Sequence, residues 1–276
     1  MLTVVLFLVG LIVGSFLNVV IWRLPRGEGV TGLVRGEKKG QVSTERQFRY
    51  WDNSRSKCPN CQRQINWYDL MPVISFFILR RRCRFCKKPI SWRYPLIELS
   101  IGLLALLLYW LFLPVSLIQW LNFAYWLVTL SGVFAIGVID FTHLVIPDKI
   151  LIVLGVVGLA HAIKFDFSSH LITALIGGVL FALVYWITHG RGIGWGDVKF
   201  IFVLGLLFGF PDILFVIYGA LFLGVIWGGA LLLTRRANMK TKLPFGTMLA
   251  TTAILTIFLH SWLISSTSEY LFYLYH

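Results

Sequence analysis

The sequence predicts an all-α polytopic membrane protein of about eight transmembrane helices, with a small cytoplasmic domain inserted after the first. Three observations carry this. Of 276 residues, 58% are hydrophobic and only 13% are charged, whereas a soluble domain carries about 25% charged residues. Arg23 to Arg93 holds 17 of the 25 Lys and Arg but only 5 of the 12 acids, a net +12 that leaves +1 for the rest of the chain. Uncharged runs long enough to cross a ~30 Å hydrocarbon core lie on both sides of that block. The composition excludes a soluble globular enzyme and a disordered chain. A basic block reads either as a nucleic-acid footprint or as the cytoplasmic flank of a membrane protein, and the flanking apolar runs favour the second, with no nucleic-acid partner.

The elements follow in order. Leu2 to Trp22 is an uncharged run of 21 residues, followed by Arg23 and Arg26. Its positive flank is on the wrong side for a signal peptide, so it reads as an uncleaved span with its N-terminus outside. Residues 27–57 are polar and Gly-containing, a loop or a small strand-rich piece. Leu99 to Ile139 is uncharged over 41 positions and is interrupted near Pro114, which predicts two spans joined by a short outside turn. Ile150 to Ile163 and Leu171 to Thr188 are the next two, joined by the polar stretch Lys164 to His170. Phe200 to Pro211 is a short span and Ile213 to Thr234 a full one. Counting them separately keeps Arg235, Arg236, Lys240 and Lys242 inside. Pro244 to Leu263 is the last. No internal repeat is evident. The domain division is residues 1–22 as the first span, 23–95 as the cytoplasmic domain and 96–276 as a membrane-embedded domain.

All four cysteines fall in the basic block, as Cys58-Pro59-Asn60-Cys61 and Cys83-Arg84-Phe85-Cys86. Two C-x2-C pairs 21 residues apart can close a tetrahedral site of four thiolates. A reducing cytoplasmic location argues against disulfides. This makes the inserted segment a small cytoplasmic zinc-binding domain. Four protein ligands leave no open position on the metal, so the Zn2+ is structural.

Seven acids lie outside the block, and an ionisable group at a span is costly enough to be a candidate functional residue. Asp166, Asp212 and Glu269 fall in outside turns or the tail. Asp148, after Pro147, can cap the helix it begins. Asp140 ends the 41-residue uncharged run. Asp197 sits in Gly192-Ile193-Gly194-Trp195-Gly196-Asp197-Val198-Lys199, where Gly194 and Gly196 let the backbone bend and a partner approach. Alternation of the spans puts Asp140 and Asp197 at the same inner face. Two carboxylates held together and sharing a proton can activate water and protonate a scissile carbonyl. The alternatives are a pair of interfacial caps, or a proton relay in a proton-coupled membrane transporter. A third is a membrane-tethered zinc adaptor. His143 and His189 match no metal-ligand spacing and read as loop residues.

These residues occur in an order that resembles the bacterial prepilin peptidases, the type IV leader peptidase/N-methyltransferase family of GxGD aspartyl proteases. Gly14-Ser15-Phe16-Leu17-Asn18 through Arg23-Leu24-Pro25 resembles the family's N-terminal signature. The two Cys pairs, Trp67-Tyr68-Asp69 and Ile90 to Glu98 continue the likeness. Asp140 with Ile146-Pro147-Asp148 resembles the first catalytic motif, Gly194-Trp195-Gly196-Asp197-Val198-Lys199 the second, and Leu243-Pro244-Phe245-Gly246 the late one. The resemblance covers Gly14 to Gly246. It implies a multi-pass protein of the bacterial inner membrane with its active site facing the cytoplasm. The implied activity cleaves the leader of type IV prepilins or type II secretion pseudopilins, before a hydrophobic helix. It then methylates the new N-terminal amine from S-adenosylmethionine.

By the same resemblance Asp140 and Asp197 are catalytic and Cys58, Cys61, Cys83 and Cys86 bind zinc. Gly194, Gly196, Lys199, Glu98 and Asp148 are supporting positions. Glu98 either recognises substrate or methyl donor, or pairs with Arg93. Lys199 either steers the ionisation of the acids or snorkels to lipid phosphate. Leader recognition calls for acids near the basic block, and Glu28, Glu37, Glu45, Asp52, Asp69 and Glu98 are candidates by location. The family's late motif often reads PFGP, whereas here Thr247 follows Gly246. No Gly-rich strand–turn–helix for a Rossmann-type donor site is visible, so the methyl-donor site is read from resemblance alone.

Overall fold

The computed structural model describes residues 1–26, 56, 58, 60–190, 192–234 and 243–265. Among these it is all helical, with one isolated antiparallel bridge, Arg82 to Pro89. The helices are α1 (Leu2–Arg23), a short α2 (Ile74–Ile78), α3 (Arg93–Phe112), α4 (Leu117–His143), α5 (Asp148–Phe165), α6 (Phe167–Ile187), α7 (Trp195–Phe208), α8 (Asp212–Leu233) and α9 (Phe245–Ser265). Each stretch predicted as a span therefore corresponds to one helix, the 41-residue uncharged run dividing into α3 and α4. Five of them, α1, α3, α4, α6 and α8, are long and apolar enough to cross a membrane. The chain is a multi-pass membrane protein. The expected strand-rich piece at 27–57 falls almost wholly outside the described residues.

The breaks between helices have local causes. Ser116 caps α4 through a reciprocal box: its hydroxyl accepts from the Gln119 N–H, and Gln119 Oε1 accepts from the Ser116 N–H. The stretch Lys164 to His170 is shorter as a connection than its polarity suggests. α5 runs to Phe165, and Asp166 alone interrupts it, capping α6 by accepting from the Ser169 N–H at 3.1 Å. Two neighbouring donors, the Ser169 N–H first and then the Ser168 hydroxyl, hold the Asp166 carboxyl below the usual carboxylate range.

The chain divides into two compact units, Met1–Tyr109 and Trp110–His276. In the first, α1 and α3 meet backbone to backbone. A Cβ placed on Gly14 would lie 2.7 Å from Glu98 Cα, and one on Gly10 would lie 2.8 Å from Gly102 Cα. Small residues permit that approach, which is how helices associate where no water drives them together.

In the second unit α7 is the central helix, packed against α5, α6, α8 and α9. Phe200, Ile201, Leu204 and Leu207 are fully buried. At 14 residues, or about 21 Å, α7 is too short to cross a membrane unaided, but its neighbours enclose most of its surface. Its closest crossing is with α6, where a Cβ on Gly205 would lie 2.5 Å from Ala174 Cα.

Candidate active site and metal centre

Asp140 occupies the last turn of α4 and is buried at 5% exposure. α4 ends because Leu144 adopts the left-handed conformation, φ 53°, with its N–H donating to Asp140 O. The chain then turns through Ile146 and Pro147 into α5. From the start of α9, the Thr247 N–H donates to Asp140 Oδ2 at 2.7 Å, and Thr247 Oγ1 lies 3.1 Å from the same oxygen. That hydroxyl is also 3.0 Å from Gly137 O, and its single proton serves one acceptor at a time. Gly246 makes room for the arrangement, since a Cβ there would sit 3.0 Å from the Asp140 carboxyl.

Asp197 is the third residue of α7. Gly194, in extended conformation, is the N-cap, and its N–H donates to Asp197 Oδ2 at 3.0 Å. The capping role foreseen for Asp197 is therefore real, and it engages one oxygen. Gly196 lies against the loop from α4, where a Cβ would be 3.2 Å from Ile146 Cβ. A Cβ on Gly246 would meet the same Ile146, at 2.9 Å from its Cδ1. Both glycine motifs thus close on one side chain beside the acids.

Asp140, Asp197, Asp148 and Lys199 line a single cleft of about 470 Å³, with Gly194, Trp195 and Gly196 on one wall and Leu144 to Pro147 on the other. Asp148 does not cap α5, because Pro147 holds the cap position and Asp148 is the first helical residue. It forms an ion pair with Lys199 across the cleft mouth. Both groups are well exposed, so the pair stabilises little by itself. It does join the N-termini of α5 and α7. His143 stands exposed at the end of α4 with Nδ1 2.7 Å from Thr142 Oγ1 and does not line the cleft.

In the first unit, the Sγ atoms of Cys58, Cys61, Cys83 and Cys86 all lie within 4.8 Å of one another. Cys58 and Cys86 are 3.8 Å apart, the edge of about 3.8 Å that a tetrahedron with ~2.3 Å Zn–S bonds requires. The cluster could hold a metal ion. Its two halves share one backbone design that no repeat in the sequence announces. The Gln62 and Lys87 N–H groups donate to Cys58 O and Cys83 O, and the Cys58 and Cys83 N–H groups donate to Arg63 O and Lys88 O. Gln62 and Lys87 both have left-handed φ, 58° and 57°. The Cys86 backbone N–H lowers the Cys83 thiol to about 7. The Lys88 N–H also lowers Cys86, but burial and the adjacent thiols outweigh it and push that thiol up to about 11.

Arg84 grips Asp69 through two nitrogens, Nη2 to Oδ1 at 2.7 Å and Nε to Oδ2 at 2.9 Å, over the Tyr68 ring. Asp69 is therefore committed to bracing the cysteine module. Glu98 is buried, accepting from the Val73 N–H at 2.7 Å and facing Asn18 Nδ2 at 3.5 Å. It ties the segment before α2 to α1 and α3, and no ion pair joins it to Arg93 among the described residues. Glu28, Glu37, Glu45 and Asp52 lie outside the described residues.

Comparison with known proteins decides the family. Residues 8–112 match the Bacterial Peptidase A24 N-terminal domain, and residues 126–229 match the Type IV leader peptidase family. The chain is 34% identical over 253 residues to a prepilin leader peptidase/N-methyltransferase of Pseudomonas aeruginosa, covering 88% of this chain and 85% of that one. It is 33% identical over 250 residues to the protein of the same name from Stutzerimonas stutzeri, with 87% and 85% covered. The Burkholderia pseudomallei protein of that name is 33% identical, with 90% and 82% covered. The chain belongs to the prepilin leader peptidase/N-methyltransferase family. No solved structure matches it.

The N-terminal match of this prepilin peptidase relative contains the four cysteines and Glu98, and the second match contains Asp140, Asp148, Asp197 and Lys199. Thr247 lies beyond both, at the place where the resembled motif often has the last proline of PFGP. A proline there has no N–H to give Asp140, so the departure itself was the available signal.

Proposed function

We propose that the chain is a prepilin peptidase that removes the leader of type IV prepilins or type II secretion pseudopilins by a two-aspartate mechanism, then N-methylates the new terminus. The observation that carries the peptidase reading is one cleft lined by Asp140 and Asp197, from different helices, each fixed at Oδ2 by a backbone N–H. One carboxylate accepts a proton from water as its oxygen attacks the scissile carbonyl. The other, protonated, donates to the carbonyl oxygen. Collapse of the tetrahedral intermediate breaks the C–N bond as the first aspartate passes the proton it took from water to the leaving nitrogen, releasing the leader as a carboxylic acid and the mature chain as an amine. Asp148 and Lys199 bracket the entrance, and Gly194 and Gly196 let the substrate backbone approach.

Methylation follows from the name shared by the relatives, with S-adenosylmethionine as donor. Among the described residues no strand–glycine turn–helix unit forms a Rossmann-type pocket for it. The four cysteines would hold structural Zn2+, and that metal would fix the cytoplasmic module. The positive-inside bias supports eight spans in the bacterial inner membrane, with the cleft facing the cytoplasm. The functional division in this reading is 1–22, 23–95 and 96–276, distinct from the compact units that part at Tyr109 and Trp110. Asp140→Asn and Asp197→Asn should each abolish leader cleavage in a protein that still inserts and keeps its metal. Full cleavage by either variant would remove that residue from the mechanism. Proton-coupled flux in liposomes without prepilin processing would favour the transporter reading instead.

A further inference from the structure

A second concavity of about 630 Å³ adjoins the aspartate cleft and shares Asp148, Trp195 and Lys199 with it. It is an elongated groove built from one stripe on each of three helices. α5 supplies a face from Asp148 to Gly155, α6 one from Leu175 to Ala182, and α7 forms the floor from Trp195 to Leu206. All three sets follow the spacing of a single helical face. α7 runs alongside both walls, Gly155 facing Val203 and Gly178 facing Phe202. The floor from Trp195 to Leu206 extends roughly 16 Å, about half a hydrocarbon core. Apart from Asp148 and Lys199 at the head, every lining residue is apolar or glycine.

Helices in a bilayer associate through close packing at small residues rather than through hydrophobic driving force. Gly155, Gly178 and Ala182 supply such positions on the two walls. Gly155 is especially open, since a Cβ there meets nothing nearer than Val203 Cγ2 at 3.9 Å. A substrate cut at the aspartates must continue away from them. A continuation that is an apolar helix needs an apolar path at membrane depth that starts at the cleft. The groove is such a path, and its continuity with the cleft selects the substrate as occupant.

We propose that this groove receives the apolar helix that follows the scissile bond of a prepilin, and so sets how deep the bond sits relative to Asp140 and Asp197. The proposal rests on the peptidase reading above. Binding there makes the helix contribute to KM, while the chemical step stays with the aspartates.

The test compares two substrates on the purified full-length protein: an intact prepilin, and a leader peptide ending a few residues after the cleavage site. Gly155→Phe and Ala182→Phe fill the groove. Each should raise KM for the intact prepilin by roughly tenfold with kcat little changed, and leave the short peptide unaffected. A photo-crosslinking residue at Val179 should form adducts with the intact prepilin. Unchanged KM for the intact prepilin in both filled variants would overturn the proposal, as would Val179 adducts confined to lipid or to a second copy of this chain. If a filled variant loses both substrates equally, the Val179 adducts decide. A wild-type protein that cleaves neither substrate would refute the peptidase reading, and the groove assignment would fall with it. Cleavage of both with no groove effect would refute the groove alone.

Discussion

At the scale of single residues, the acids are defined by what holds them. Asp140 and Asp197 each receive a backbone N–H, from Thr247 and Gly194, so their orientation does not depend on flexible side chains. Thr247→Pro removes the N–H at 2.7 Å and the hydroxyl together, whereas Thr247→Ala removes only the hydroxyl. A hydrogen bond to a charged group contributes about 1.5–3 kcal/mol, but the resembled motif often carries proline at this place, so Thr247→Pro should keep leader cleavage with kcat lowered by no more than roughly tenfold, and Thr247→Ala by less. Equal activity in both, measured on one prepilin, would show that the N–H is not used. The acids themselves were legible in the sequence because a charge at the edge of a span stands out against 41 uncharged positions. Their partners were not. Thr247 is 107 residues from Asp140, and Lys199 is 51 from Asp148. Nothing local in a sequence marks contacts at such separations. Asp69 and Glu98 stand out by location, while their partners, Arg84 for Asp69 and the Val73 N–H for Glu98, are visible only in the fold.

At the scale of elements, uncharged runs and their Pro, Gly and polar breaks located the long helices, although α3 and α7 start at Arg93 and Trp195, ahead of the runs from Leu99 and Phe200. Lys164 to His170 reads as a loop by its polarity, but charged residues sit well in terminal turns when a single capping Asp separates two helices. The two cysteine turns share hydrogen bonds and a left-handed residue, yet Gln62 and Lys87 are chemically unlike. The repeat lives in the backbone and therefore escaped a search for similar letters. Helix contacts depend on glycines in the same way. Gly205→Leu would force α6 and α7 apart at a point where even a Cβ has 2.5 Å of room. Overpacking of that kind costs about 1–3 kcal/mol or more. It should lower the melting temperature of the detergent-solubilised protein and disturb Asp197 at the other end of α7. Gly155→Ala, with 3.9 Å available, should leave the melting temperature unchanged. A wild-type melting temperature for Gly205→Leu would contradict the close α6–α7 packing.

At the scale of the whole molecule, the net +13 is mostly the charge of one inserted segment. It anchors the reading of topology rather than marking a nucleic-acid surface, and basic residues near an anionic leaflet contribute about 1 kcal/mol each. That segment carries the cysteine cluster, whose 3.8 Å sulfur separation suits zinc. Metal analysis of the purified protein should give one zinc per chain, and Cys58→Ser should lose it. A metal content near zero with folded, reduced thiols would reject the metal centre. The central claim is that the cleft of Asp140 and Asp197 removes prepilin leaders, and the most direct measurement is mass spectrometry of a prepilin incubated with the purified protein, with and without S-adenosylmethionine. The account predicts loss of the leader in both reactions, addition of one methyl group only when the donor is present, and no cleavage by Asp140→Asn or Asp197→Asn. An intact prepilin after incubation with the wild-type protein, or a leader removed equally well by the two variants, would contradict it.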